Sequence, residues 1–212
     1  GTLYEDDVFW KITADGTLTL SGNGTVADFG SAYYQPWKDY RSDIERVVIC
    51  EGITRIGSTA FYTCNKISGE IVFPDSMTEI GVNVFYGCTG ITDVTIPESI
   101  DTIGKLAFSG DEWYMFGDQN QNSYALTADG QMVYKYYAPK LTKIDLSAAT
   151  SIGEQAFLYC KQLSEVQLGD GITEIAAMTF YECDKLTTIN LQNIQTVRTN
   201  AFVQTALTSV DL

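Results

Sequence analysis

A block of about 23 residues that ends in phenylalanine recurs along most of this 212-residue chain. The spacings between successive phenylalanines are 24, 23, 49, 23 and 22 residues, for Phe61, Phe85, Phe108, Phe157, Phe180 and Phe202. A unit this short cannot bury an apolar edge by itself, so neighbouring units must stack to make a continuous core. The period therefore predicts a solenoid in which each repeat forms one coil.

A second pattern, apolar-x-x-apolar-x-apolar, lies between the blocks and is typical of a leucine-rich-repeat strand. It occurs at Ile44/Val47/Ile49, Ile91/Val94/Ile96, Leu141/Ile144/Leu146, Leu163/Val166/Leu168, Leu186/Ile189/Leu191 and Leu207/Val210/Leu212. Its last two apolar positions alternate, so one face of each short strand is buried. Stacked coils place these strands in one parallel sheet on the concave side. The copy Ile67/Ile71/Phe73 contains one extra residue, which predicts a bulge.

The phenylalanine block itself reads Ile-Gly-x-x-Ala-Phe in its most regular form. It predicts a short extended piece and then a helical or 3₁₀ turn on the opposite wall, with glycine allowing the change of direction. The expected fold class is α/β and β-rich: a leucine-rich-repeat solenoid with an N-terminal β-hairpin cap. Coils are expected to start near residues 44, 67, 91, 141, 163, 186 and 207.

Residues 1–43 lack the repeat and are interpreted as an N-terminal cap. Residues 9–20 read as two strands joined at Asp15-Gly16, which is a strong hairpin signal. The expected domains are thus 1–43 and the solenoid 44–212. No C-terminal cap follows the last strand pattern, so we expect either an exposed edge or a longer array.

An insertion at 113–137 accounts for the 49-residue spacing and is expected to be a hairpin that turns at Asp129-Gly130. Seven of its 25 residues are aromatic, against 12% in the whole chain. Tyrosine and tryptophan are common interface anchors, but they could equally shield the core where the regular coil is broken. The candidate binding residues here are Trp113, Tyr114, Phe116, Tyr134 and Tyr136.

The outward positions of the predicted strands are polar and lean acidic. The concave sheet of a solenoid is often a binding surface, although a purely solvated face is the simpler alternative. Glu70 and Asp93 are expected to be neighbours on adjacent strands, where a cation could relieve their repulsion. The candidate residues on this face are Arg46, Glu70, Asp93, Lys143, Asp145 and Glu165.

Composition narrows the possible functions. Thirteen Lys and Arg against 27 Asp and Glu give a net charge of −14, which disfavours nucleic acid as a partner. No apolar run approaches the ~20 residues of a membrane span, so we expect no membrane insertion. Histidine is absent, which removes the common nucleophilic triads and imidazole zinc sites. We therefore expect no enzyme activity, no cofactor and no metal; a glycosidase with two carboxylates is the alternative.

Four of the five cysteines share one repeat position: Cys64, Cys88, Cys160 and Cys183. Stacked coils bring equivalent atoms to about 4.8 Å. Parallel side chains do not present their Cβ atoms as a disulfide requires, so we expect buried free thiols. Cys50 lies outside this column and is expected to be unpaired.

The unit resembles the BspA-type leucine-rich repeat of bacterial surface and secreted proteins, over Ile44 to Leu212 apart from the insertion. Departures occur at Ala176 and at Val197-Arg198, which replace Gly and Ile-Gly. The resemblance implies a secreted or cell-surface, adhesin-like module, without catalytic residues, that binds an extracellular protein or glycan. A structural spacer in a larger surface protein is the alternative, and we expect a monomer. Residues 1–7 lack the features of a signal peptide, so we expect none in this chain.

Overall fold

The computed structural model describes residues 7–109 and 140–208, and the backbone of two short strands between these ranges. The strands in this part of the chain are β1 Asp7–Ile12, β2 Thr17–Val26, β3 Arg46–Ile49, β4 Ile53–Ile56, β5 Ser68–Val72, β6 Glu79–Ile80, β7 Gly90–Thr95, β8 Thr102–Ile103, β9 Tyr124–Leu126, β10 Met132–Tyr134, β11 Lys143–Leu146, β12 Ser151–Ile152, β13 Glu165–Leu168, β14 Glu174–Ile175, β15 Thr188–Ile189 and β16 Thr196–Val197.

The strands at the apolar-x-x-apolar-x-apolar positions form the concave ladder, which consists of β3, β5, β7, β11, β13 and β15. β5 pairs in parallel with β7, and β11 with β13 and then β15. The Ser68 N–H donates to the Glu45 carbonyl at 3.0 Å and links the first coil to the second. Equivalent residues such as Ile144 and Val166 face each other and are 3% and 1% exposed. The expected parallel pairing is therefore confirmed for β5–β7 and for β11–β13–β15, but among the described strands β7 and β11 are adjacent without pairing, so the ladder is not one continuous sheet.

The extra residue in the second coil produces the expected irregularity. The β5–β7 register shifts between Gly69 and Glu70, and Gly69 adopts a φ of 85°. This left-handed conformation is accessible to glycine without the strain that a Cβ brings. The bulge absorbs the added residue, so Ile71 still points inward opposite Val94.

The Ile-Gly segments on the opposite wall pair with one another and form the second ladder. Its parallel order is β2, β4, β6, β8 and β12, and β14 pairs separately with β16. The glycine that follows each of β4, β6, β8 and β12 lets adjacent coils approach closely; a Cβ on Gly153, for example, would lie 2.4 Å from the Lys105 nitrogen. Within the described residues β12 and β14 are not paired, and Ala176 stands there in place of glycine.

The second-ladder strands from β4 onward lead into consecutive turns in which an N–H bonds to the carbonyl three residues earlier, such as Tyr62 to Thr59 at 3.2 Å and Cys64 to Phe61 at 3.0 Å. This hydrogen-bond pattern agrees with the expected 3₁₀-type turns. Thr59 and Thr63 have φ values of 60° and 56°, and such left-handed residues prevent a helix from continuing. The N–H groups of Thr59, Phe61 and Thr63 donate to carbonyls of the next coil at 2.8–2.9 Å. Two short 3₁₀ helices also precede the first coil, at Ala32–Tyr34 and Lys38–Tyr40.

The N-terminal hairpin is continuous with both ladders. β1 and β2 are antiparallel, and Gly16, with a φ of 75°, closes the turn through its N–H bond to the Thr13 carbonyl. β2 then pairs with β3 through residues 17–20 and with β4 through residues 24–26. β2 of the hairpin thus pairs with the first strand of the concave ladder and is itself the first strand of the second ladder.

A column of stacked aromatic rings fills the core between the ladders. Consecutive phenylalanines from Phe61 to Phe202 lie 5.1–5.8 Å apart between ring centroids, with nearly parallel planes. Trp37 stacks on Phe61 at 5.6 Å and donates its Nε1–H to the Ala60 carbonyl at 2.9 Å. Because Trp37 is fully buried and stacks on the first phenylalanine, it forms the N-terminal end of the column.

The cysteine column runs beside the aromatic column, and all five cysteines are free, as expected. The thiols of Cys88, Cys160 and Cys183 donate to phenylalanine carbonyls of the preceding coil at 3.1–3.4 Å. Burial raises the pKa of the Cys64 thiol to about 12 and raises the other three as well. These thiols therefore remain protonated and poorly nucleophilic at neutral pH.

We expect a thiol reagent such as Ellman's reagent to titrate one equivalent in the native chain and five after denaturation. Cys50 is the partly exposed cysteine, whereas the other four are buried. Substitution of Cys50→Ser should abolish the native signal and leave four equivalents in denaturant. Rapid native reaction of more than one thiol would contradict the burial of the cysteine column.

Candidate functional site

The concave ladder brings together six charged side chains that the sequence places at outward positions. They lie on β3, β5, β7, β11 and β13, between residues that point into the core, because successive side chains of a strand alternate between its two faces. All six are exposed to solvent: Arg46, Glu70, Asp93, Lys143, Asp145 and Glu165. Five neighbouring strands thus contribute charged groups to one surface, which we call the concave face.

The acidic centre of the concave face is formed by Glu70 and Asp93, which are register partners on β5 and β7. Thr95 donates its hydroxyl to Glu70 Oε1 at 2.7 Å, and the Val94 N–H donates to Asp93 Oδ1 at 2.8 Å. The ion pairs among the described residues do not include either carboxylate. Both carboxylates therefore retain free acceptor positions that face solvent.

The cation that the sequence suggested for this pair has no ligand cluster in the described part of the chain. No group of three Cys, Asp or Glu side chains is placed there to hold a metal ion.

The two ends of the concave face carry ion pairs. Lys143 contacts Glu165, its register partner on the adjacent strand. Arg46 binds Asp15 of the hairpin turn at 2.8 Å. Hydrogen bonds from Thr13, Arg46 and Thr17 lower the pKa of Asp15 well below its usual range, so this exposed pair is charged at all ordinary pH values.

Two exposed valines lie on the same face, and neither was among the predicted binding residues. Val48 on β3 and Val72 on β5 are 45% and 52% exposed, although both are valines within strands. Their outward positions in the pattern are the only signal in the sequence. Together with the neighbouring carboxylates they give the N-terminal half of the concave face the mixed polar and apolar character of a contact surface.

The aromatic candidates of the insertion lie outside the described residues, namely Trp113, Tyr114, Phe116 and Tyr136. Tyr134 lies in β10, whose backbone pairs antiparallel with β9. The two strands lie on either side of the predicted turn, while Asp129 and Gly130 themselves lie outside the described residues.

The second ladder carries ion pairs that join one coil to the next. Arg55 lies between Asp28 and Glu79 at 2.9 Å from each, and Arg198 forms a two-pronged contact with Glu174 at 2.9 and 2.7 Å. Burial opposes ionisation of Asp28, but hydrogen bonds from Ser58 and Arg55 outweigh it and lower the pKa. Because these charges are paired across coils, they support stacking and offer little to a partner.

The repeated unit of this chain matches a known family. Six copies of the BspA type leucine rich repeat region match residues 39–116 and 131–212. The chain belongs to this family. The BspA-type repeats thus contain the phenylalanine column and the strands of both ladders from β3 onward, while the whole β1–β2 hairpin lies outside the matched residues.

Two solved structures share the fold of these BspA-type repeats. A leucine-rich repeat protein of T. pallidum is 20% identical with a TM-score of 0.63, and the alignment covers 93% of this chain and 86% of that one. A leucine-rich repeat protein of Bacteroides ovatus is 19% identical with a TM-score of 0.59, with 98% and 58% covered. No curated protein matches the sequence. No helix in the described residues is long and apolar enough to cross a membrane.

Proposed function

We propose that this chain is a non-catalytic recognition module, secreted or displayed on a bacterial cell surface, whose concave face binds an extracellular protein. The observation that carries the proposal is the concave face itself, where five adjacent strands expose charged groups and two exposed valines lie among them. The BspA-type repeats support the extracellular setting, because the family resemblance implies surface and secreted proteins.

The dimensions and chemistry of the concave face favour a protein partner. Six strands about 4.8 Å apart span roughly 24 Å, which suits a standard interface of about 800 Å² per partner. Charges of both signs give the face a pattern that a complementary surface can match. The net charge of −14 favours encounter with a partner that carries a basic patch.

Surface plasmon resonance against extracellular-matrix and plasma proteins at physiological salt tests this proposal. We expect saturable micromolar or tighter binding to at least one protein. The double substitution Glu70→Lys and Asp93→Lys should weaken that binding at least tenfold, because it reverses the acidic centre of the face.

The matched control is Asp75→Lys with Glu98→Lys. These exposed carboxylates belong to the same two coils and undergo the same change of charge, but they lie beyond the ends of β5 and β7. The control should bind as the unchanged chain does. Equal weakening in both double variants would mean that net charge, and not the concave face, determines binding. If the chain binds none of these proteins, the alternative function of a structural spacer in a larger surface protein is favoured.

A further inference from the structure

An open groove of about 820 Å³ lies where the N-terminal hairpin meets the first two coils. Its volume falls within the range of about 300–1,000 Å³ that is typical of small-ligand sites. The groove is built from three separate segments: the end of β1 with its turn, residues 40–46, and Lys66. It adjoins the concave face through Arg46, but its other lining residues lie outside that face.

The apolar part of the groove is aromatic and firmly supported. Trp10 and Tyr40 have ring centroids 6.4 Å apart, with planes inclined by 53°. Trp10 packs edge-on against the buried Trp37 at 6.1 Å, which fixes its position against the core. Tyr40 is 50% exposed, and Ile12 lines the groove beside the two rings. A ligand therefore meets ring surfaces that are held in place before it binds.

The polar part of the groove offers both hydrogen-bond donors and acceptors. Arg46 and Lys66 contribute donors, while Asp43 and Glu45 contribute carboxylate acceptors. Lys66 lies 3.9 Å from Asp43, and both side chains are more than half exposed. Each cation of the groove thus lies beside a carboxylate of the groove, Lys66 beside Asp43 and Arg46 beside Asp15.

We propose that this groove binds a neutral oligosaccharide. A sugar ring presents an apolar C–H face that packs on aromatic rings, and its hydroxyl groups both donate and accept hydrogen bonds. The groove supplies both complements: Trp10 and Tyr40 for the ring face, and the carboxylates and cations for the hydroxyls. The proposal deepens the proposed function, because it adds a glycan site to a module whose concave face binds protein.

The charges of the groove argue against other small ligands. Three carboxylates, counting Asp15, repel an anionic ligand, and the net charge of the chain adds to this repulsion. Arg46 and Lys66 repel a cationic ligand at the same rim. A neutral ligand rich in hydroxyl groups encounters neither penalty. An extended peptide is the remaining competitor and is included in the test.

Titration calorimetry with neutral hexasaccharides of glucose, mannose, galactose and N-acetylglucosamine tests the groove. We expect one of them to bind at millimolar or tighter affinity, and Tyr40→Ala to weaken it roughly tenfold, since one ring face is lost. Tyr40→Phe should retain most of the affinity. The matched control is Tyr33→Ala, which removes a 79% exposed tyrosine of the same segment that does not line the groove.

Glu45→Gln provides a second variant, because it keeps the shape of an exposed side chain and removes only the charge. It should weaken saccharide binding and leave the melting temperature unchanged. The proposal is overturned if no hexasaccharide binds, if only an extended polyserine or polyproline peptide binds, or if Tyr40→Ala and Tyr33→Ala bind equally well.

The two proposals can fail separately. The Glu70→Lys and Asp93→Lys double variant leaves the groove intact, so it should bind the hexasaccharide as the unchanged chain does. Tyr40→Ala should likewise leave protein binding at the concave face unaltered. Loss of saccharide binding in the concave variant would show that the sugar occupies the concave face and would overturn the groove proposal.

Discussion

Phe157→Ala is expected to destabilise the chain by about 3–5 kcal/mol, the usual cost of removing a buried phenylalanine. Phe157 is fully buried and stacks on Phe108 at 5.8 Å and on Phe180 at 5.5 Å. Each coil contacts only its neighbours, so no other part of the solenoid can fill the cavity. Chemical denaturation followed by circular dichroism should show a lower midpoint.

Phe9→Ala is the matched control for this loss. It removes the same ring from β1, where the side chain is 46% exposed and points away from the core. The change should cost less than about 1 kcal/mol. Comparable losses in the two variants would contradict the view that the stacked column, and not aromatic content as such, stabilises the solenoid.

The concave ladder could be predicted because its signal is local and repeated. Each strand alternates buried and exposed positions, and the same alternation recurs one coil later, so Ile144 and Val166 identify each other as register partners. Even the bulge at Gly69 was evident as one extra residue between Ile67 and Ile71. Repetition converts a weak pattern in one segment into a strong constraint on all of them.

The left-handed residues within the turns of the second wall could not be predicted in the same way. Thr59, Gln155 and Tyr159 adopt left-handed φ values near 60°, although glycine, asparagine and aspartate are the residues usually found there. The energy that offsets this strain comes from hydrogen bonds to the next coil, such as Phe157 N–H to the Thr179 carbonyl at 3.0 Å. The conformational preference of a single residue does not take account of hydrogen bonds between coils, so it could not indicate these left-handed positions.

The candidate site was predictable only in part, and the reason is again distance along the chain. The charged positions of the concave face follow from strand alternation and are exposed as expected. The groove draws Trp10, Tyr40 and Lys66 from segments that no repeat relates. In the sequence these aromatics indicated only a cap. Pairing of β2 with β3 places the end of the hairpin beside the first coil, and this contact between distant segments forms the groove.

Gly104→Ala is expected to cost about 3 kcal/mol, the upper range for an added methyl group that has no space. Its Cβ would lie 2.5 Å from the Gly81 carbonyl carbon and oxygen and 2.7 Å from the Val82 nitrogen, all of them backbone atoms. A flexible side chain could move aside, but a hydrogen-bonded ladder cannot. The Gly104 N–H bond to the Ile80 carbonyl at 2.8 Å should lengthen or break.

Gly30→Ala is the control, because the nearest side-chain or backbone atom lies 4.0 Å from the Cβ it would add. It should leave the denaturation midpoint nearly unchanged, and amide exchange at position 104 should accelerate only in Gly104→Ala.

The chain already contains a related case: Ala176 stands at the glycine position where β12 and β14 are unpaired. Arg198 also replaces glycine yet donates its N–H to the Ile175 carbonyl at 2.9 Å, so a side chain is tolerated where the preceding coil allows it. At position 104 the preceding coil leaves no room for a side chain, because Gly81 of that coil lies in tight contact with Gly104. An unchanged midpoint in Gly104→Ala would therefore show that coils can separate there without loss, and that the second ladder contributes little to stability.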